Sequence, residues 1–82
     1  MKQILYFTAS WCGPCKAMAP VITELSGRLP IQKIDVDSNK EALSTYNVRQ
    51  VPTFIFLKDG REVVRKSGMT SKMELEALAS RL

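Results

Sequence analysis

An unbroken apolar run, Ile4-Leu5-Tyr6-Phe7, and a helical pattern that starts at Pro14 flank the segment Trp11-Cys12-Gly13-Pro14-Cys15. A continuous apolar run suits a strand covered on both faces. From Pro14 to about Arg28, the residues Met18, Val21, Ile22, Leu25 and Leu29 recur at helical spacing. A buried strand therefore feeds a helix through a short loop, and that loop carries the only cysteines of the chain. Two thiols held this close at a helix start can form a reversible disulfide. Cys12, just ahead of the helix, meets unpaired N–H groups and the positive end of the helix dipole. Both favour thiolate over thiol, and the thiolate is the nucleophile. Dithiol–disulfide exchange is the expected chemistry. Cys12 is expected to be the exposed attacking thiol, and Cys15, one turn in and more buried, the resolving one.

The remaining elements follow from periodicity and turn chemistry. Ile31 to Val36 forms a second strand, with Ile31, Lys33 and Asp35 on one face and Gln32, Ile34 and Val36 on the other. Ser38-Asn39 is expected to cap a short helix that runs to about Tyr46. Thr53 to Leu57 is a third, strongly apolar strand, and Lys58-Asp59-Gly60-Arg61 turns it into a hairpin with Glu62–Lys66. Gly68 breaks that strand. Ser71 and Glu74 make a capping-box pattern before a last helix with the stripe Leu75, Leu78, Ala79 and Leu82. Pro14 fits the first turn of the first helix, and Pro20 is expected to kink its interior. The order β-α-β-α-β-β-α, with a right-handed crossover, makes the first two strands parallel, and the hairpin adds an antiparallel pair. An α/β domain spanning residues 1–82 is expected, with a mixed four-stranded sheet flanked by three helices on both faces.

Composition removes several function classes. With 45% hydrophobic and 24% charged residues in 82, the chain is one small globular domain rather than a disordered segment. No apolar stretch approaches the roughly 18 residues that a membrane span needs. The first apolar run is too short for a signal-peptide core, so a cytoplasmic location is expected. There a lone C-x-x-C is more often catalytic than structural. The formal charge of +4 comes from dispersed basic residues, which reads as a solvated surface and not as a nucleic-acid or membrane contact. A structural disulfide between Cys12 and Cys15 would close a tiny loop and add little stability. A structural zinc takes four ligands, and the chain offers two cysteines and no histidine. The lack of histidine also removes a Cys–His hydrolase. No nucleotide- or flavin-binding motif is present, so no bound cofactor is expected beyond the Cys12–Cys15 disulfide, and electrons would come from a separate reductase.

W-C-G-P-C within this order of elements resembles the thioredoxin family. The likeness extends to Lys16, Pro20, Lys33, Val51-Pro52-Thr53, Lys58-Asp59-Gly60 and Gly68, and so covers nearly the whole chain. It implies a thioredoxin-like fold and a monomeric protein disulfide reductase of reducing poise, acting on disulfide-containing proteins. It also implies a cis Val51–Pro52 bond beside the cysteines, with the Val51 backbone pairing to an extended substrate segment. Gly13 and Pro14 would set the turn between the thiols. Trp11, Gly13, Pro14, Val51, Pro52, Gly68 and Met69 would form the contact surface. Blander roles stay open: Trp11 as a core aromatic, Pro52 as a strand-start proline, and Lys33 as an edge-strand lysine rather than an aid to proton transfer. Two other functions fit the same pattern. One is a dedicated electron donor to a single enzyme such as a ribonucleotide reductase. The other is a non-catalytic interaction subunit, whose function would survive loss of both cysteines.

Two departures from the family pattern stand out. The usual member has a further strand and helix before the strand that leads to the cysteines, so Ile31–Val36 is expected to be a sheet edge, protected by Pro30, Lys33 and Asp35. The family also places a buried aspartate six residues before the first cysteine, where this chain has Tyr6. A phenol is a poor base at neutral pH. The proton of Cys15 would then pass to water, Lys33 or Asp35.

Overall fold

In a computed structural model describing residues 1–82, the apolar runs become strands and the periodic stretches become helices. The order is β1 (Lys2–Thr8), α1 (Gly13–Leu25), β2 (Ile31–Asp35), α2 (Lys40–Tyr46), β3 (Thr53–Lys58), β4 (Arg61–Ser67) and α3 (Lys72–Ala79). The strands form one sheet in the order β2-β1-β3-β4. β1 runs parallel to β2 and antiparallel to β3, and β3 and β4 form the hairpin. β2 lies at one edge of the sheet, as expected.

The continuous apolar character of β1 and β3 has a plain cause: both are interior strands with helices above and below. Ile4, Tyr6, Phe54 and Phe56 turn toward Met18, Ile22 and Leu25 of α1 and Leu75 of α3. Leu5, Phe7, Ile55 and Leu57 turn the other way, where Ala42, Leu43 and Tyr46 of α2 cover them. Phe7 meets the Tyr46 ring edge-on at 6.0 Å. No helix is long and apolar enough to cross a membrane.

Local chemistry sets the element ends. Asp59 and Gly60 both have positive φ, 52° and 81°, the type I′ geometry that suits a two-residue hairpin turn. α2 stops at Asn47, which adopts the left-handed conformation. α3 has half of its capping box: Ser71 Oγ accepts the Glu74 N–H at 3.1 Å. The Glu74 carboxylate returns to the Ser71 hydroxyl and not to its N–H. Three expectations need correction. α1 ends at Leu25, not at Arg28, because Ser26 already caps it. Asn39 stands at the N-cap of α2 as expected but makes no side-chain capping bond, and its amide Nδ2 donates to the Asp35 carbonyl at 3.0 Å. Leu82 is buried, yet it lies beyond α3. α1 continues across Pro20.

Arg65 ties β4 to the end of α2. Its guanidinium donates to the Tyr46 carbonyl at 2.8 Å and to both Glu62 carboxylate oxygens at 2.7 Å. The hydrogen bond from Arg65 holds the Glu62 carboxyl below its usual range, against the opposing effect of burial. Arg65→Met is expected to lower stability by about 1–2 kcal/mol at neutral pH, read from urea midpoints. A carboxyl whose pKa is lowered on folding stabilises the fold above its unfolded pKa, and that contribution fades as acid approaches the lowered value. The gap between the two proteins should therefore narrow in acid. A gap unchanged by acid would assign the whole effect to the Tyr46 contact.

Candidate active site

Cys12 occupies the N-cap position of α1, with extended backbone (φ −86°, ψ 112°) and Pro14 in the first turn behind it. Its sulfur accepts the N–H of Cys15 at 3.2 Å. Cys12 and Cys15 are joined as a disulfide, with Cα atoms 5.2 Å apart. An N-cap side chain ordinarily relieves one orphan N–H of the helix with oxygen; here sulfur does so. The same donor that stabilises the cap would stabilise a thiolate on Cys12 once the bond is reduced. The expectation of an exposed Cys12 is corrected: Cys12 is 4% exposed and Cys15 3%. Both residues are buried in the bridged form, so the helix-capping bond, and not exposure, distinguishes the two thiols.

A second loop approaches the pair from β3. The Val51–Pro52 bond is cis. Half-buried Val51 packs against the core cluster that contains both cysteines, and Pro52 is buried. The Pro52 carbonyl accepts the N–H of Gly68 at 2.8 Å. Gly68 has a φ of 87°, which disfavours any side chain there. Met69 follows it, 58% exposed. Gly13 and Pro14 lie exposed at the open start of α1. Trp11 is 66% exposed and so is not a core aromatic.

Tyr6 is 2% exposed, and its ring stacks on Phe54 at 4.9 Å. Its hydroxyl donates to the backbone carbonyl of Cys15 at 3.4 Å. Lys33 stands opposite Tyr6 in the β1–β2 register. Lys33 also lines a cleft of about 520 Å³ between α1 and β2, whose walls include Tyr6, Cys15, Lys16 and Asp35. No group of three or more His, Cys, Asp or Glu side chains is placed to hold a metal.

Sequence reasoning missed Asp37. Its carboxylate accepts the indole N–H of Trp11 at 3.0 Å. Its own N–H donates to the Asp35 carboxylate at 2.9 Å. The turn after β2 thus latches the tryptophan beside the cysteines. The pairing spans 26 residues of chain, and no local pattern in the sequence signals it.

The thioredoxin family model matches residues 1–81. The chain belongs to the thioredoxin family. It is 42% identical over 81 residues to thioredoxin from Chlamydia trachomatis serovar D, covering 95% of this chain and 79% of that protein. It is 48% identical over 68 residues to a thioredoxin H-type of Oryza sativa subsp. indica, covering 79% of this chain and 56% of that protein. The fold is similar to that of Fasciola hepatica thioredoxin, solved by X-ray methods. That likeness has a TM-score of 0.89 at 40% identity, over 98% of this chain and 79% of the other. With its bonded Cys12–Cys15 pair, the chain is a thiol–disulfide oxidoreductase. The family reduces disulfide substrates with electrons drawn from a reductase.

Proposed function

We propose that residues 1–82 act as a single-domain, monomeric protein disulfide reductase in the cytoplasm, an electron carrier recharged by a separate reductase. The observation that carries this reading is the Cys15 N–H held on the Cys12 sulfur at the N-cap of α1. That donor and the helix dipole stabilise negative charge on Cys12 in the reduced form. The Cys12 thiolate attacks a substrate sulfur, a mixed disulfide forms, and the first substrate thiolate leaves. Cys15 then attacks Cys12 and releases the second, so the pair is oxidised and the substrate reduced by two electrons.

Trp11, Gly13, Pro14, Val51, Pro52, Gly68 and Met69 form the substrate surface in this reading. Exposure of Trp11 and Met69 supports it, as does the nearness of Val51 to the cysteine cluster. Lys33 supports the proton step from its place on the cleft. Asp37 orients Trp11 for protein substrates. Asp37→Ala is expected to raise KM for a disulfide-bonded protein by roughly three- to tenfold, about 1 kcal/mol, and to leave reduction of a small aromatic disulfide unchanged. Equal loss on both substrates would show that the latch serves the fold and not recognition.

The deciding experiment is reduction of a disulfide-bonded protein with dithiothreitol as electron source, followed by trapping of cellular partners with Cys15→Ser. Many trapped partners support the general reductase. One trapped enzyme would make the chain a dedicated donor, and biological function surviving removal of both cysteines would make it an interaction subunit.

A further inference from the structure

The resolving step needs the proton of Cys15 to leave a residue that is 3% exposed. Cys15 borders the cleft between α1 and β2, which is open to solvent and large enough for water. Four ionisable side chains share that cleft with it: Tyr6 from β1, Lys16 from α1, and Lys33 and Asp35 from β2. The Tyr6 hydroxyl is committed as a donor to the Cys15 carbonyl. Lys16 and Lys33 are cations with no lone pair to offer while charged. Asp35 is the sole carboxylate on the cleft wall. It stands opposite Thr8, two rungs beyond the Lys33–Tyr6 pair, and so shares the α1 face of the sheet. One carboxylate oxygen holds the Asp37 N–H at 2.9 Å, and Asp35 joins no ion pair.

We propose that Asp35 is the proton acceptor for Cys15, reached through water in the cleft between α1 and β2. The inference rests on the disulfide-reductase reading. In the step, the Cys15 S–H bond breaks and the proton passes through water to the Asp35 carboxylate and on to solvent. The Cys15–Cys12 bond forms as the Cys12–substrate bond breaks. The cysteine pair is oxidised, and the reduced substrate sulfur leaves as a thiolate that takes a proton from solvent. The titratable residues that line the cleft with Asp35 are Tyr6, Lys16 and Lys33, and from the following turn Asp37 reaches the Asp35 carboxylate with its backbone N–H while its own carboxylate holds Trp11. The two cations offset the charge of the carboxylate while it waits for the proton.

Asp35→Asn tests this cleanly, because an asparagine oxygen can keep the Asp37 N–H and so spare the Trp11 latch. Stopped-flow release of a chromogenic thiol from its mixed disulfide with Cys12 is followed between about pH 6 and 9. Release should slow at least about tenfold near neutrality, less than a directly bonded base would give because water intervenes. Its rate should rise more steeply with pH, and added imidazole, small enough for the cleft, should restore it. A release rate and pH profile matching the parent, or slow release that imidazole leaves untouched, would overturn the role of Asp35. Normal formation of the mixed disulfide in either case keeps the reductase reading intact. A parent protein that forms no mixed disulfide would remove both.

Discussion

Cys12→Ser and Cys15→Ser should fail in different ways. Cys12→Ser is expected to lower turnover of protein disulfides at least about a hundredfold, toward the uncatalysed exchange with dithiothreitol. Cys15→Ser should make the first bond at close to the normal rate and then stop, with the substrate covalently held on Cys12. The asymmetry follows from the helix cap: only Cys12 receives an N–H from the first turn. The same geometry orders the reactivity of the reduced protein. Brief iodoacetamide treatment near neutrality should label Cys12 before Cys15, as mapped by mass spectrometry. Preferential labelling of Cys15, or a stable adduct on the Cys12→Ser protein, would reverse the assignment.

Tyr6→Asp is expected to trade stability for speed in the second step. Tyr6 is 2% exposed and stacked on Phe54. Truncating it leaves a cavity beneath α1 and buries a carboxyl group, a loss of roughly 3–5 kcal/mol. For an 82-residue chain the whole stability is of order 4–12 kcal/mol, so the variant should unfold at much lower urea. Tyr6→Phe forfeits only the long bond to the Cys15 carbonyl and should stay within about 1 kcal/mol of the parent. Burial raises the pKa of the introduced carboxyl. A raised folded pKa makes the variant's deficit grow as pH rises, because ionising the buried group then opposes folding. A carboxyl tuned in that direction also accepts a proton near neutrality. Release from the Cys12 mixed disulfide should therefore speed up near pH 7 and lose its pH dependence. Identical release profiles for parent and variant would show that position 6 takes no part in proton transfer.

Much of the architecture lies in short-range patterns, which is why the chain is readable. Ile4 to Phe7 has no polar face, so β1 had to be interior, and Asp59-Gly60 supplies the two positive-φ residues that its hairpin turn uses. The cysteine spacing before a helical stripe places one sulfur at the cap. Each of these depends on residues within a turn or two of one another, where backbone geometry leaves few choices.

The remaining features depend on contacts between distant segments, and local periodicity carries no record of them. Period-two alternation puts Lys33 and Asp35 on a common face of β2 but does not say that this face meets α1 and the Cys15 cleft. The Trp11–Asp37 latch and the Arg65 bridge to the end of α2 join segments that only sheet packing brings together. Burial of Cys12 likewise depends on a cluster that gathers residues from distant segments, among them Ile34, Val48 and Ile55. Sequence alone determined the elements, their order and the redox pair, because those follow from local spacing and turn chemistry. Tertiary structure alone decided what surrounds that pair, because side chains remote in the chain reach it only after the sheet has closed around β1.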